Sequence, residues 1–200
     1  MRIMELYRNN KLYFSGKDIS DMLSINAASA KVTASRYVKQ GLLLRLKRDF
    51  YTTPGRFDNL IEEEAYTVAN ILQTPSYVSL VTALSYYSIS TQQQRYYIES
   101  ISLKRTMNIS IREYSFTYTR LKRVLYSGFG INRGKSGYFI AMPDKAMADI
   151  AYLCSLGRYK CDFEAIDFGK INKKSVFKFL EKSNKSAIQF WEMLCANYRI

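Results

Sequence analysis

The sequence is 200 residues long, 48% hydrophobic and strongly basic, with 30 Lys and Arg against 17 Asp and Glu for a net charge of +13. It contains no histidine, which excludes Ser-His-Asp and Cys-His triads and H-E-x-x-H metal sites, and neither G-x-x-x-x-G-K-[ST] nor G-x-G-x-x-G phosphate loops occur. The expectation is a non-enzymatic protein without catalytic residues, metal or cofactor, hydrophobic enough for a core in one domain or two small ones.

Met1–Asn10 puts Ile3, Met4 and Tyr7 on one helical face. Tyr13-Phe14 reads as a stub of strand, and Ser15 or Gly16 opens a second helix carrying Ile19, Met22 and Leu23. Ser24-Ile25-Asn26 is a compact turn whose Asn26 suits an N-cap. The third helix, about Ala27–Gln40, places Ala30, Ala34, Tyr37 and Val38 on one stripe, and Gly41 is the left-handed residue expected to close it. Ala28, Ser29, Val32, Arg36 and Lys39 fall on the other side. Ser29 and Arg36 suit base edges or phosphates, while Ala28 and Val32 suit thymine methyls. Taken alone, this segment also reads as an ordinary amphipathic surface helix.

The next residues favour the first reading. Leu42, Leu44 and Leu46 alternate with Leu43, Arg45 and Lys47. Lys47-Arg48-Asp49 makes a turn, with Asp49 in a left-handed position that glycine takes more readily, and Phe50–Thr53 returns as a strand ended by Pro54. Arg45, Lys47 and Arg48 are expected to contact phosphates, which positions a protein on DNA without reading sequence. Residues 1–57 are therefore expected to form a winged helix-turn-helix that binds double-stranded DNA.

Pro54-Gly55 is expected to start a linker to a second domain, residues 58–200. Leu60–Gln73 reads as a helix with Glu62, Glu63 and Glu64 in its first turn. Tyr77–Tyr87 reads as a second apolar helix after Thr74-Pro75. From Tyr96 the period changes, and YYIESISLK, MNISIREYSFTYT and GYFIA read as strands, with Gly128–Gly134 a turn between strands. Pro143-Asp144 opens another helix, and Asn172–Lys182 and Ala187–Tyr198 are amphipathic helices. The fold class expected is α+β, with a mixed α/β second domain whose helices pack on a small, mostly antiparallel sheet.

Charge is uneven: residues 1–57 hold eleven Lys/Arg against four Asp/Glu, 58–90 hold none against four, and 91–140 hold nine against two. In the second domain Lys104, Arg105, Arg112, Arg120, Lys122 and Arg123 form a possible second basic surface for an acidic or nucleic-acid partner, or else the exposed faces of half-buried strands. Tyr77, Thr82, Ser85, Lys145 and Asp149 are further candidates there, with a purely structural role favoured for them. Cys154, Cys161 and Cys195 have neither disulfide nor zinc spacing and read as small buried or half-buried hydrophobes. With no apolar run near the ~20 residues of a membrane span and no signal-peptide pattern, the expected localisation is cytoplasmic, without membrane.

Three segments resemble the AbiEi family of antitoxins from bacterial type IV toxin–antitoxin systems: Ala34–Leu43 with Arg45–Arg48 and Phe50-Tyr51; Tyr77-Val78-Ser79 with Thr82–Ser85; and Ile140-Ala141 with Pro143–Ala146 and Asp149-Ile150. They run over positions 34–153 in the family's order. Asp49 and Ser88 stand where the family often has glycine, and Asp144 where it more usually has Glu. The resemblance implies a winged-helix autorepressor, binding its own operator as inverted repeats, joined to an antitoxin domain. That domain would oppose a cognate nucleotidyltransferase-like toxin without needing a stable complex. The alternatives are a winged-helix regulator whose second domain binds a ligand or protein, with no toxin, and an RNA-binding or structural adaptor.

Overall fold

The computed structural model describes residues 2–92, 94–133 and 137–199. It is a mixed α+β structure of two compact units, residues 1–68 and 69–200. The division falls inside a helix, whereas the sequence pattern placed it at a linker beginning with Pro54. That linker is instead a short helix, α4 (Pro54–Asp58), whose N-cap Thr53 accepts from the Arg56 amide and whose proline sits in the first turn. Proline there loses no hydrogen bond, because first-turn amides have no partner within the helix.

The first unit begins with α1 (Ile3–Arg8), β1 (Phe14–Ser15), α2 (Gly16–Met22) and α3 (Ala27–Lys39). β2 (Leu44–Lys47) and β3 (Phe50–Thr52) follow, then α4 and the start of α5 (Glu62–Leu72). The strands make an antiparallel sheet in the order β1-β3-β2, with Phe14 opposite Tyr51 and Arg45 opposite Tyr51 on its other side. The core gathers Ile3 and Leu6 from α1, Ile19 from α2, Ala30, Ala34 and Tyr37 from α3, and Leu43, Phe14 and Tyr51. On α1 the buried stripe is Ile3–Leu6; Met4 and Tyr7, expected to share Ile3's face, are exposed. A six-residue helix can bury only one narrow i, i+3 stripe, and Leu6 takes the place assigned to Tyr7. Arg56 forks onto Glu64, which also accepts from the Ile61 amide, so α4 is tied to the first turn of α5.

The second unit holds a six-stranded mixed sheet, and the new elements in chain order are β4 (Ser76–Val78), α6 (Leu80–Tyr86), β5 (Tyr97–Ser102), β6 (Met107–Ile111), β7 (Tyr114–Arg120), β8 (Phe129–Asn132) and β9 (Tyr138–Ala141). The strand order is β6-β7-β5-β4-β9-β8. Neighbours are antiparallel except β5–β7 and β4–β9, which are parallel. The helices α7 (Pro143–Ser155), α8 (Lys173–Leu180) and α9 (Lys185–Tyr198) complete it, with α7 packed against α6, α8 and α9. Every residue of α7 from Lys145 to Leu153 is buried, the mark of a helix enclosed on all sides.

Three expectations for this unit are corrected. Tyr77–Tyr87 is not one helix: Tyr77 and Val78 lie in β4, Ser79 is extended, and Leu80 has φ +57 before the helix runs on. A short continuous apolar run fits a buried strand as well as a helix. MNISIREYSFTYT is two strands joined at Arg112-Glu113, with Arg112 at φ +51. Gly128–Gly134 is not only a turn, since Phe129–Asn132 forms β8 against β9; Gly134 lies outside the described residues.

Candidate nucleic-acid interface

α3 is built so that one face is held and the other left bare. Asn26 caps it by accepting from the Ser29 amide at 2.8 Å, and Ala30 and Ala34, both 0% exposed, pack without side-chain bulk toward α2. At its other end the Gly41 amide donates to Val38 O and the Leu42 amide to Tyr37 O, with Gly41 at φ +71. These two bonds satisfy carbonyls that the helix itself leaves open. They also reverse the chain directly into the β2–β3 hairpin.

Ala28, Ser29, Val32, Arg36 and Lys39 are all exposed, Val32 at 68%. A valine that bare gains nothing from folding. Arg36 lies by the Tyr37 ring, 5.6 Å from its centroid. Lys31 and Ser35 share the exposed arc and were missed by the sequence reading, although turning the helix at about 100° per residue places them there. No Asp or Glu occurs in α3, so the only charges on the face are the cations Lys31, Arg36 and Lys39.

The hairpin is less regular than its alternation suggested. Register shifts between Arg45 and Lys47, and the buried leucines are Leu43 and Leu46, not the Leu42-Leu44-Leu46 set. A bulge adds a residue and so breaks period two. Arg45 and Arg48 are exposed at this edge, and the Arg45 Nε donates to Lys47 O at 3.4 Å. Lys47 is half-buried, its Nζ 4.5 Å from the centroid of the Phe50 ring, which in turn meets Tyr13.

Asp49 takes the left-handed turn position at φ +66. Its side chain offsets the backbone cost: Oδ1 accepts from the Gly16 amide at 3.1 Å, at the first residue of α2. A methyl group on Gly16 would meet that oxygen at 2.3 Å. The same helix start carries a reciprocal Ser15–Asp18 cap. Burial raises the Asp18 carboxyl, but the Lys11 ammonium and the Ser15 hydroxyl and amide outweigh it and hold it at about 2. The hairpin tip is thus fastened to α2.

In the second unit the six basic candidates do not form one surface. Arg120, Lys122 and Arg123 line one cavity; Lys104 and Arg105 occupy the β5–β6 connection at that end of the sheet, and Arg112 sits at the opposite end of the β6–β7 hairpin. Tyr77, Lys145 and Asp149 do converge. The Lys145 Nζ donates to Asp149 Oδ1 at 2.5 Å and to Leu125 O at 2.8 Å. Asp149 Oδ2 accepts from the Tyr77 and Ser79 hydroxyls, each at 2.9 Å. Both charged side chains are almost wholly buried. Burial pushes the Asp149 carboxyl up, against the pull of Lys145, Ser79 and Tyr77, and pushes the Tyr77 phenol well up. This closed network ties β4 to α7 and exposes no group to a substrate. Thr82 and Ser85 bond elsewhere: Thr82 donates to Gln94 and accepts from the Glu99 amide, and Ser85 donates to the Gln92 carbonyl.

Glu99 on β5 is a second buried acid missed in sequence, although its i±2 neighbours Tyr97 and Ile101 place it on an apolar strand face, a signal that could have found it. It is 2% exposed and its Oε2 has no partner among the described residues. Burial raises its carboxyl against hydrogen bonds from Tyr159, Gln94, Thr82 and Val81. The three cysteines are free; burial pushes Cys154 to about 11 and Cys161 to about 12, so at neutral pH they are thiols and poor nucleophiles.

Among the described residues no cluster of His, Cys, Asp or Glu is arranged to hold a metal ion, and no helix is long and apolar enough to cross a membrane. No family model matches the sequence, and no curated protein matches it.

Proposed function

We propose that residues 1–68 are a winged helix-turn-helix, and that the chain is a sequence-specific DNA-binding autorepressor serving as the antitoxin of a type IV AbiE-like system. The observation that carries the DNA-binding reading is the exposed, acid-free face of α3 closing through Gly41 into a basic hairpin. Ala28, Ser29, Val32 and Arg36 read base edges, with Lys31 and Lys39 beside them. Arg45 and Arg48 hold phosphates, while Lys47, lying on Phe50, stiffens the hairpin and adds its charge.

The antitoxin part rests on the resemblance, and two features support it. Asp49 and Ser88, where that family often has glycine, both have left-handed backbones, at φ +66 and +55. The second and third resembling segments also meet: Tyr77 and Ser79 bond Asp149, the partner of Lys145. The opposed toxin would be a nucleotidyltransferase-like protein.

Electrophoretic mobility shifts on the chain's own promoter test the repressor reading. Arg36→Ala weakens promoter binding by ~1–3 kcal/mol if Arg36 meets a base, and Lys47→Ala weakens promoter and random DNA about equally. Equal binding of both DNAs by the unaltered chain at physiological salt overturns the reading. Co-expression with a neighbouring nucleotidyltransferase-like gene tests the antitoxin reading: unrelieved growth arrest refutes it.

A further inference from the structure

Two parallel neighbours, β5 and β7, end side by side, with Ser102 opposite Arg120. Beyond their carboxyl ends, within residues 69–200, lies a cavity of about 680 Å³. Crevices outside the carboxyl ends of parallel strands are where open sheets bind ligands. Four cations line this one: Arg120 at the end of β7, Lys122 and Arg123 just after it, and Arg158 from the loop after α7. None of the four makes an ion pair among the described residues, and no carboxylate there lines the cavity.

All four side chains are exposed, so solvent screens their mutual repulsion, and together they make the space attractive to an anion. Their placement is specified by the backbone. Arg120 donates its amide to Thr106 Oγ1 at 3.0 Å. Arg158 follows Gly157 at φ +63, and its amide donates to Leu153 O at 2.9 Å, closing α7. Asn184, the N-cap of the 14-residue α9, also lines the cavity, so the positive end of that helix adds to the same field. The remaining wall is formed by the half-buried Leu103 and Leu156 with Thr106 beside them, over the buried Leu121 and Tyr152.

We propose that this cavity binds a small phosphate-bearing molecule of the nucleoside di- or triphosphate class. The cations and the α9 terminus hold the phosphates, and the half-buried Leu103 and Leu156 receive the base. The volume lies within the ~300–1,000 Å³ of small-molecule sites. The inference goes beyond the repressor and antitoxin readings and does not depend on either, because its residues are separate from α3 and the β2–β3 hairpin.

Isothermal titration of the full chain at physiological salt tests it, using ADP and inorganic phosphate as probes. ADP is expected to bind at least roughly tenfold more tightly than inorganic phosphate, because only ADP uses the apolar wall. The double variant Arg120→Gln/Arg158→Gln weakens ADP binding at least roughly tenfold, each charge-assisted contact being lost, and Arg36→Gln in the first unit leaves it unchanged. Circular dichroism verifies the fold of the double variant; should it not fold, Arg158→Gln alone, on an exposed loop, reads the same loss. Absence of ADP binding at millimolar concentration overturns the proposal, as does full ADP binding by the folded variant. So does displacement of ADP by a poly(dT) oligomer that binds more tightly and shows the same loss, which would make the cavity part of a nucleic-acid track.

Discussion

Removing Asp149 leaves the Lys145 ammonium, 3% exposed, with the Leu125 carbonyl and the Phe179 ring, whose centroid is 5.8 Å away. Breaking a buried pair from one side costs about 3–5 kcal/mol, because the remaining charge is uncompensated. The Tyr77 and Ser79 hydroxyls lose their acceptor in the same step, and each orphaned buried donor adds up to about 1–3 kcal/mol. These costs overlap, so Asp149→Ala is expected to destabilise by at least ~3 kcal/mol. With a urea slope of ~2 kcal/mol per molar, the midpoint falls by at least ~1.5 M. Trp191, the chain's one tryptophan, is 1% exposed on α9 of the same unit, so its fluorescence reports this transition. Lys145→Met should cost a comparable amount by stranding the carboxylate. The double variant Lys145→Met/Asp149→Leu removes both charges and should cost clearly less than the sum of the singles. Single substitutions costing less than ~1 kcal/mol, or strict additivity in the cycle, would refute the account of a desolvated, mutually dependent pair.

Gly41→Ala should destabilise the first unit by ~1–2 kcal/mol, seen in urea unfolding followed by circular dichroism. An added Cβ meets nothing within 4 Å at φ +71, so the cost is backbone strain alone. Gly41→Asn should recover part of it; equal losses for both would contradict this. Glu99 predicts a pH effect. Its folded-state carboxyl is raised, so above the ordinary glutamate value of ~4.3 the unfolded chain gives up a proton that the folded chain retains. Stability contributed by this group is then full at low pH and falls as pH rises through that window. Glu99→Gln should melt near the parent at pH 4 and increasingly above it toward pH 7. A melting difference that does not change with pH would refute the linkage.

Much of the first unit was legible because its signals are local. The opening of α2, expected at Ser15 or Gly16 and capped by Ser15, the Asn26 cap, the Ala30-Ala34-Tyr37-Val38 stripe, of which Val38 is only half-buried, and the Gly41 stop each act within a few residues. Where a signal depended on partners it misled: Tyr77-Val78 is a strand because β5 and β9 flank it, and the register break at Arg45–Lys47 exchanged which leucines are buried.

The sequence by itself determined the basic, acid-free exposed face of α3 and the charge of the hairpin after it, since helix period and a glycine stop need no distant contact. It also determined which residues carry positive charge in the second unit. Only the tertiary structure decided which of those charges act together. Arg158 joins Arg120, Lys122 and Arg123 because α7 ends beside the carboxyl ends of β5 and β7, while Arg112, closer in sequence, is carried to the far end of a hairpin. It likewise decided that Asp149 serves Lys145, Tyr77 and Ser79. Charge is a property of a residue, but its surroundings are fixed by segments distant in the chain, and burial and unpaired neighbours turn a charge into a support or a site.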